Sequence, residues 1–266
     1  MKLKSAVFLG LAFALRAYAD DSSVLCQQDQ VRQLSFSRQV ISRVKPSNEV
    51  SLVTWNAHKL EDKNFFFDLK KLSESSDLLM VQEAVHTTAW QAAFASHMPF
   101  AFSFNKSFCW DDKANGVMTA SRIGLNNNLA LLSPGTEPGS FTHKVTGYSQ
   151  ILVGGKVVHV INTHALNFNV GIAFEEQIDH LVKFMAQLQG PIIWAGDFNT
   201  WNPLRTDYLN EKAKTLGLSH VNPARDSRFL VLDHIYVRGF TAISAEVLDL
   251  QSSDHFPIKA TLRLNN

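Results

Sequence analysis

The sequence predicts an α+β fold in which two packed, mainly antiparallel β-sheets are flanked by helices. Strand-like runs bounded by Gly, Pro, Asn and Ser recur through most of the chain, while only a few segments have helical periodicity. The chain has 266 residues, of which 45% are hydrophobic, so it can form a sizeable core. We therefore expect one sandwich domain that covers residues 50–266.

The predicted elements mix strands and helices along the chain. Strands are predicted at 50–55, 77–81, 116–120, 129–132, 144–153, 156–162, 192–195, 230–237 and 257–264. Helices are predicted at 65–72, 87–96 and 171–189, and another is predicted to begin at Pro203. The helix at 171–189 has the clearest pattern, because its hydrophobic residues form one continuous stripe and Gly190-Pro191 ends it.

The first 19 residues have the pattern of a secretory signal peptide. Lys2 and Lys4 precede an apolar run at 6–15, and Ala17-Tyr18-Ala19 precedes Asp20. An uncleaved anchor is the alternative, but the run is too short to span about 30 Å of hydrocarbon. We expect a secreted or periplasmic bacterial protein without a transmembrane segment. Residues 20–49 are polar and are expected to form an irregular leader.

Charge does not identify the substrate. The predicted signal peptide, residues 1–19, contains three of the 25 basic residues and no acidic residue, so its removal leaves 22 basic against 24 acidic residues and a net charge of −2. Proteins that bind nucleic acid through a large basic patch are usually positive. In an oxidising compartment the two cysteines, Cys26 and Cys109, are expected to form a disulfide, the alternative being two buried thiols.

Polar side chains recur where the predicted strands end. They are Asn56, Glu83, His164, Asn167, Asp197, Asn199, Asp233, Asp254 and His255. Taken singly, such residues are more often turn formers or satisfied surface groups. As a set, the carboxylate and amide oxygens suit a hard divalent cation, and the Asn and His donors suit phosphoryl oxygens.

Six short motifs that contain these residues occur in order: Thr54-Trp-Asn56, Val81-Gln-Glu83, Asn162-Thr-His164, Gly196-Asp-Phe-Asn199, Leu232-Asp-His-Ile235 and Ser253-Asp-His-Phe-Pro257. Together they resemble the endonuclease/exonuclease/phosphatase superfamily, which includes deoxyribonuclease I, abasic-site endonucleases, neutral sphingomyelinases and inositol-phosphate phosphatases. Residues 115–121, 164–168 and 232–239 are similar to its YafD-like bacterial group. The resemblance covers residues 50–264 and implies a four-layer α/β/β/α, DNase I-like sandwich.

The resemblance also implies a ligand set for a divalent cation, Mg²⁺ or Mn²⁺. Glu83 would be the principal ligand, with Asn56 beside it and Asp254 at or near the metal. Asn199 and Asn167 would hold non-bridging oxygens of the substrate phosphate. These groups are oxygen donors to the metal and amide donors to the phosphate, as such a site requires.

The catalytic roles implied by the resemblance involve two carboxylates and two histidines. Asp197 would orient or deprotonate the attacking water. His255, paired with Asp233, would stabilise charge in the transition state or transfer a proton, and His164 would contact the phosphate. His234, although next to Asp233, is predicted to point away from the cleft.

The predicted activity is that of a secreted, metal-dependent phosphodiesterase, with a nuclease favoured and nucleic acid as its substrate. The alternatives are a phospholipase C or sphingomyelinase acting on a lipid headgroup, a phosphomonoesterase, and a catalytically silent binding module. Aromatic residues at 100, 102, 104, 108 and 110 would favour a membrane surface if they formed an exposed loop. Their alternation is more typical of one buried face of a strand. We expect a monomer.

Overall fold

The computed structural model describes residues 25–27, 32–36, 48–87, 98, 100–168 and 172–266. In these ranges the strands are β1 (Gln33–Phe36), β2 (Glu49–Asn56), β3 (Leu78–His86), β4 (Ala101–Trp110), β5 (Lys113–Ser121), β6 (Asn126–Thr136), β7 (His143–Val153), β8 (Lys156–His164), β9 (Ile192–Asp197), β10 (Ser219–His220), β11 (Asp233–Arg238), β12 (Phe240–Val247) and β13 (Ile258–Leu264). The longer helices are α1 (Phe65–Ser73), α2 (Ile172–Met185) and α3 (Pro203–Thr215), and His58–Leu60 forms a short 3-10 turn.

The strands form two sheets. The first has the order β1-β4-β5-β3-β2-β13-β12, and the second has the order β10-β11-β9-β8-β7-β6. Neighbouring strands are antiparallel except in the pairs β2–β3 and β8–β9, which are parallel. A parallel pair needs a long crossover, and α1 and α2 lie in these two connections. The predicted pair of mainly antiparallel sheets is confirmed.

The hydrophobic core has three layers, so the sandwich has four. Between the sheets, side chains such as Leu52 and Met80 of the first sheet pack with Val160 and Ile193 of the second. On the outer face of the first sheet, α1 packs against a cluster around Trp55. On the outer face of the second sheet, α2 and α3 pack against a separate cluster. Because these three layers are filled by hydrophobic side chains, we expect the functional site at the polar strand ends, where the two sheets meet.

Most predicted elements are present with shifted boundaries. The helix predicted at Pro203 is α3, whose first turn is capped by Asn202 Oδ1, which accepts from the backbone N–H of Arg205 at 3.0 Å. The aromatic residues at 100, 102 and 104 are buried in or beside β4, so they form the face of a strand. The helix predicted at 87–96 lies outside the described residues, apart from residue 87. Strand β12 was not predicted, because few of its residues are buried and a bulge interrupts its alternation.

The described residues of the segment 20–49 are attached to the domain. Strand β1 pairs antiparallel with β4 at the edge of the first sheet. The prediction of an irregular segment is therefore wrong for residues 33–36. The predicted disulfide between Cys26 and Cys109 is confirmed, with the two Cα atoms 5.7 Å apart. The signal peptide predicted at 1–19 lies outside the described residues. In the part of the chain that is described, no helix is both long enough and apolar enough to cross a membrane.

Candidate active site

The candidate site forms where the ends of several strands meet between the sheets. The pairing of β8 with β9 places His164 opposite Asp197, and the pairing of β9 with β11 places Asp197 opposite Asp233. From the first sheet, β2 ends at Asn56, and the segment before β13 contributes His255. The site therefore combines residues of both sheets, and two of them, Asn56 and His255, are 199 positions apart in the sequence.

Asp197 lies at the centre of the site and is buried. Asn56 Nδ2 donates to Asp197 Oδ2 at 2.8 Å, and the backbone N–H of Asn199 donates to Asp197 Oδ1 at 2.9 Å. Burial and the neighbouring Asp233 carboxylate raise the pKa of Asp197 to about 6. A carboxylate with a pKa near 6 can hold or accept the proton of a water molecule near neutral pH.

Asp233, which is buried, and His255, which is partly buried, form a pair beside Asp197. His255 Nδ1 lies 2.9 Å from Asp233 Oδ2. Burial lowers the pKa of His255, but the charge and hydrogen bond of Asp233 outweigh burial and, with Asp197 and Asp254, raise the pKa to about 10. The imidazole is therefore a cation at neutral pH, able to donate to developing negative charge. The backbone oxygen of His255 also accepts a 2.8 Å hydrogen bond from Trp55 Nε1, which anchors the segment.

His164 faces Asp197 from the other side. Its Nε2 lies 3.6 Å from Asp197 Oδ2, 3.7 Å from Glu83 Oε1 and 3.0 Å from Lys144 Nζ. Burial, followed by the positive charges of Lys144, His255 and Lys59, lowers the pKa of His164 well below its usual value. The imidazole is therefore neutral, in contrast to the charged imidazole of His255.

Glu83 is directed into the site by a β-bulge. The register of β3 against β5 shifts between Val81 and Ala84, and Glu83 has a positive φ of 47°. A bulge re-aims a side chain relative to the regular pleat. The Glu83 side chain is 21% exposed, so its carboxylate is open to solvent or to a ligand.

Asp254 and Asn167 lie at the edges of the site. The Asp254 side chain is 55% exposed, with its Oδ2 3.8 Å from His58 Nε2. Asn167 is half-buried on the loop after β8, and its backbone oxygen accepts a 3.1 Å hydrogen bond from Trp201 Nε1. Asp254 lies in the same rim as the acidic residues Glu61 and Asp62. His234, by contrast, is directed away from the cleft, towards the hydroxyl of Thr200 and the ring of His220.

The donor chemistry of the site fits a hard divalent cation. Glu83 and Asp254 present carboxylates that are open to solvent, and Asp233 Oδ1 is buried without a hydrogen-bond partner among the described residues. One ligand atom from each of Asp197, Asp233 and His255 also lies within 4.8 Å of the others. In that group the charged imidazole of His255 is already paired with Asp233, so it is a poor metal ligand. The carboxylate oxygens of Glu83, Asp254 and Asp233 are therefore the suitable ligands for such a cation.

The loop that follows β8, residues 164–168, is fixed by buried side chains. The backbone N–H groups of residues 167 and 168 donate to the Glu137 carboxylate at 2.7 and 3.1 Å. Gln177 accepts from the backbone of residue 166 and donates to that of residue 164. Arg205 Nη1 donates to the backbone oxygens of residues 166 and 199, at 2.8 and 2.9 Å. These contacts connect the loop with the segment that contains Asn199.

A sequence profile of the endonuclease/exonuclease/phosphatase family matches residues 53–255, well over half of the chain. The chain belongs to that family. A UPF0294 protein of Vibrio parahaemolyticus is 29% identical over 250 residues, which cover 90% of this chain and 85% of the relative. The resemblance predicted from the six motifs is confirmed. As a member of the endonuclease/exonuclease/phosphatase family, the chain is a phosphoric ester hydrolase of a metal-dependent type.

Solved structures share the fold. An endonuclease/exonuclease/phosphatase from Beutenbergia cavernae has a TM-score of 0.65 at 17% identity, over 82% of this chain and 72% of that one. D. rerio TDP2 in complex with a single-strand DNA product has a TM-score of 0.59 at 15% identity, over 80% and 98% of the two chains. Sphingomyelinase C from Streptomyces griseocarneus has a TM-score of 0.57 at 14% identity, over 82% and 99%. The likeness shows a shared DNase I-like fold.

Several residues of this family member's site had no signal in the sequence. Lys144 lies inside β7, Glu137 follows β6, and Gln177 and Arg205 lie on helices. None of them stands in a motif, and each reaches the site only because the second sheet and its helices bring it there. Only Gln177 has a signal in the sequence, because it is an amide residue on the hydrophobic face of a helix, where a polar side chain is unusual.

Proposed function

We propose that this protein is a secreted nuclease that depends on Mg²⁺ or Mn²⁺ and hydrolyses phosphodiester bonds. The observation that carries the proposal is the contrast between two neighbouring groups. Asp197 is a buried carboxylate with a pKa of about 6, and His255 is an imidazole that Asp233 keeps charged. A base for water and a cation for the leaving or phosphoryl oxygen are the two groups that phosphodiester hydrolysis requires.

In this proposal Asp197 orients the attacking water and takes its proton. Asn56 and Asn199 fix the Asp197 carboxylate by their hydrogen bonds, and His255 donates to the oxygen on which negative charge develops. Glu83, with Asn56 and Asp254, would hold the cation. When bound, a divalent cation supplies positive charge to a phosphoryl oxygen. Asn167 would contact a non-bridging oxygen. The side-chain amide of Asn199 already donates to the backbone oxygen of Ala165 at 2.9 Å and to Asp197 Oδ2 at 3.4 Å, so its part in the proposal is to hold Asp197.

A rigid aromatic side chain next to the site supports nucleic acid as the substrate. Trp201 is 41% exposed, its Nε1 is fixed on the backbone oxygen of Asn167, and the Arg205 guanidinium lies 4.9 Å from its ring. Phe168, the residue after Asn167, is also exposed. Exposed aromatic rings beside a phosphate site offer faces on which bases stack, each worth about 1–3 kcal/mol.

A second candidate, a phospholipase C of the sphingomyelinase type, is favoured by a different observation. Phe229 is 99% exposed, and Leu230 and Val231, which follow it, are also exposed. This apolar segment lies shortly before Asp233 in the sequence, so a membrane surface could dock beside the site. No comparable feature among the described residues favours a phosphomonoesterase.

The experiment is a hydrolysis panel of plasmid DNA, RNA, sphingomyelin and inositol phosphates, with Mg²⁺ and with excess chelator. We expect cleavage of DNA or RNA that Asp197→Asn lowers by at least about 10² in kcat. Trp201→Ala should raise KM for nucleic acid, and Phe229→Ala should leave it unchanged. Hydrolysis of sphingomyelin alone, lost in Phe229→Ala and retained in Trp201→Ala, would show that the lipid is the substrate.

Secretion is part of the proposal. The Cys26–Cys109 disulfide supports an oxidising compartment, where such bonds persist, and the pattern of residues 1–19 supports export. N-terminal sequencing of the protein recovered outside the cytoplasm should begin at Asp20. An intact Met1 on the exported protein would contradict cleavage.

A further inference from the structure

Lys144 is a cation inside the site that takes no part in the proposed hydrolysis. It lies on β7, its side chain is 15% exposed, and its Nζ lies 3.0 Å from His164 Nε2. The carboxylate of Glu137 is the nearest counter-charge, with Oε1 3.6 Å from Lys144 Nζ. A largely buried ammonium needs compensation. Among the described residues, a carboxylate beyond hydrogen-bond distance and one ring nitrogen provide only part of this compensation.

The hydrogen bond between the two residues decides which of them can face a phosphate. An ammonium only donates, so His164 Nε2 must accept, and its ring proton is on Nδ1. The same Nε2 is the atom that faces Asp197 and Glu83. On this side of the cleft the imidazole therefore has no N–H to offer to a phosphoryl oxygen, whereas the ammonium does.

The ammonium retains a free donor. It has three N–H bonds, and the described residues provide one hydrogen-bond acceptor, His164 Nε2, and the Glu137 carboxylate at 3.6 Å. Glu137 is itself occupied, because its two oxygens accept the backbone N–H groups of residues 167 and 168. Glu137 therefore fixes the loop that contains Asn167 by hydrogen bonds and lies 3.6 Å from Lys144 as its counter-charge, so the lysine is held next to this loop.

We propose that Lys144 is a substrate-contacting residue whose ammonium binds a non-bridging oxygen of the phosphate. His164 is then a positioning residue that holds the ammonium as a hydrogen-bond acceptor, and it is not the phosphate donor that the motif comparison implies. This inference rests on phosphoric ester hydrolysis in the proposed function, and it holds for a nucleic acid or a lipid substrate.

The first test needs no substrate. Long-range ¹H–¹⁵N correlation spectra of the histidine-labelled protein report the tautomer of each ring. We expect His164 to carry its proton on Nδ1, with Nε2 unprotonated, and Lys144→Met to change the Nε2 shift. A proton on His164 Nε2 in the wild-type protein would overturn the proposal, because Lys144 could then not donate to it.

The second test measures binding of inorganic phosphate by calorimetry in the presence of Mg²⁺, and turnover of bis(4-nitrophenyl) phosphate. Lys144→Met should weaken phosphate binding and lower kcat/KM by at least about tenfold each, since a charge-assisted hydrogen bond is lost. Lys144→Arg should recover most of the binding. Lys156→Met, which removes an exposed lysine of the β7–β8 hairpin, is the matched control and should change neither value.

The outcomes separate this inference from the proposed function. If the wild-type protein cleaves no nucleic acid but Lys144→Met loses phosphate affinity, the nuclease assignment fails and the role of Lys144 stands. If Lys144→Met is folded, as judged by its melting temperature, and binds phosphate as the wild type does, Lys144 has no contact with the substrate. Undetectable phosphate binding by the wild-type protein would also overturn the inference.

Discussion

Replacement of Asp233 by Asn tests the electrostatics of the site most directly. The change keeps the size of the side chain and a hydrogen-bonding group 2.9 Å from His255 Nδ1, but it removes the buried charge. The carboxylate is the main reason that the pKa of His255 is about 10 and not 6.5. At about 1.4 kcal/mol per pH unit, this difference is roughly 5 kcal/mol of preference for the charged imidazole.

Asp233→Asn removes the largest influence that raises the pKa of His255 and leaves burial, which lowers it, so the pKa should fall far enough for the ring to be neutral at pH 8. Loss of a positioned acid costs about 10²–10⁴ in rate. We therefore expect kcat to fall by at least about 10². The Asp233 charge raises the pKa of Asp197 and the smaller effect of the His255 charge lowers it, so the loss of both should move the acidic limb of the kcat/KM profile only slightly to lower pH.

The assay combines a pH titration of the His255 ring signals with pH profiles of kcat and kcat/KM. Asp179→Asn is the matched control, because Asp179 also pairs with a cation, Lys212, but lies on α2 outside the site. The control should leave activity unchanged. The reasoning is refuted if Asp233→Asn remains folded, keeps kcat within about threefold of the wild type and shows a charged His255 at pH 8.

Three further predictions concern the metal, the backbone and pH. Glu83→Ala should abolish activity in excess Mg²⁺ without unfolding the protein, whereas the control Glu176→Ala, on the exposed face of α2, should have no effect. Equal activity of the two variants, measured with and without chelator, would show that Glu83 holds no essential ion. Gly196→Ala should lower the melting temperature strongly, because φ at Gly196 is 143° and the new Cβ would lie 2.0 Å from a main-chain oxygen of β8. The control Gly155→Ala, where φ is 77° and the space around the Cβ is open, should lower the free energy of unfolding by only about 1 kcal/mol. Equal losses of stability for the two variants in denaturant unfolding would contradict the clash. The pKa of His255 is about 10 in the folded protein and 6.5 in the unfolded chain, so the stability that its charge contributes is complete below about pH 6.5 and is lost as pH rises towards 10. Between these pH values the melting temperature of His255→Asn should therefore fall less than that of the wild type. Parallel curves of melting temperature against pH would refute this.

The sequence predicts the central part of the site because its residues stand at strand ends. Asp197 ends a buried strand and His255 precedes another, and strand ends of a sandwich converge on one cleft. The same argument holds for the core strands, where burial on one or both faces produces a hydrophobic pattern. Edge strands such as β1 and β12 bury few side chains, so their pattern is too weak to predict them.

The supporting residues could not be predicted for a different physical reason. Lys144 is a single lysine in a strand, and nothing near it in the sequence indicates that His164 lies 3.0 Å away. Arg205 stands on a helix as surface arginines do, yet it is buried and reaches the backbone of two loops. Such roles depend on contacts between distant segments, and local periodicity has no information about them.

The fixation of the loop at 164–168 has a consequence for how substrate preference can change. The main-chain groups of this loop are already hydrogen-bonded to Glu137, Gln177 and Arg205, so the loop is ordered before a ligand binds. Little conformational entropy is therefore lost on binding. The free and ligand-bound backbones should therefore superpose at this edge. New specificity would arise by exchange of exposed side chains on an unchanged main chain, and Phe168, at 73% exposed, is the most accessible position in this loop.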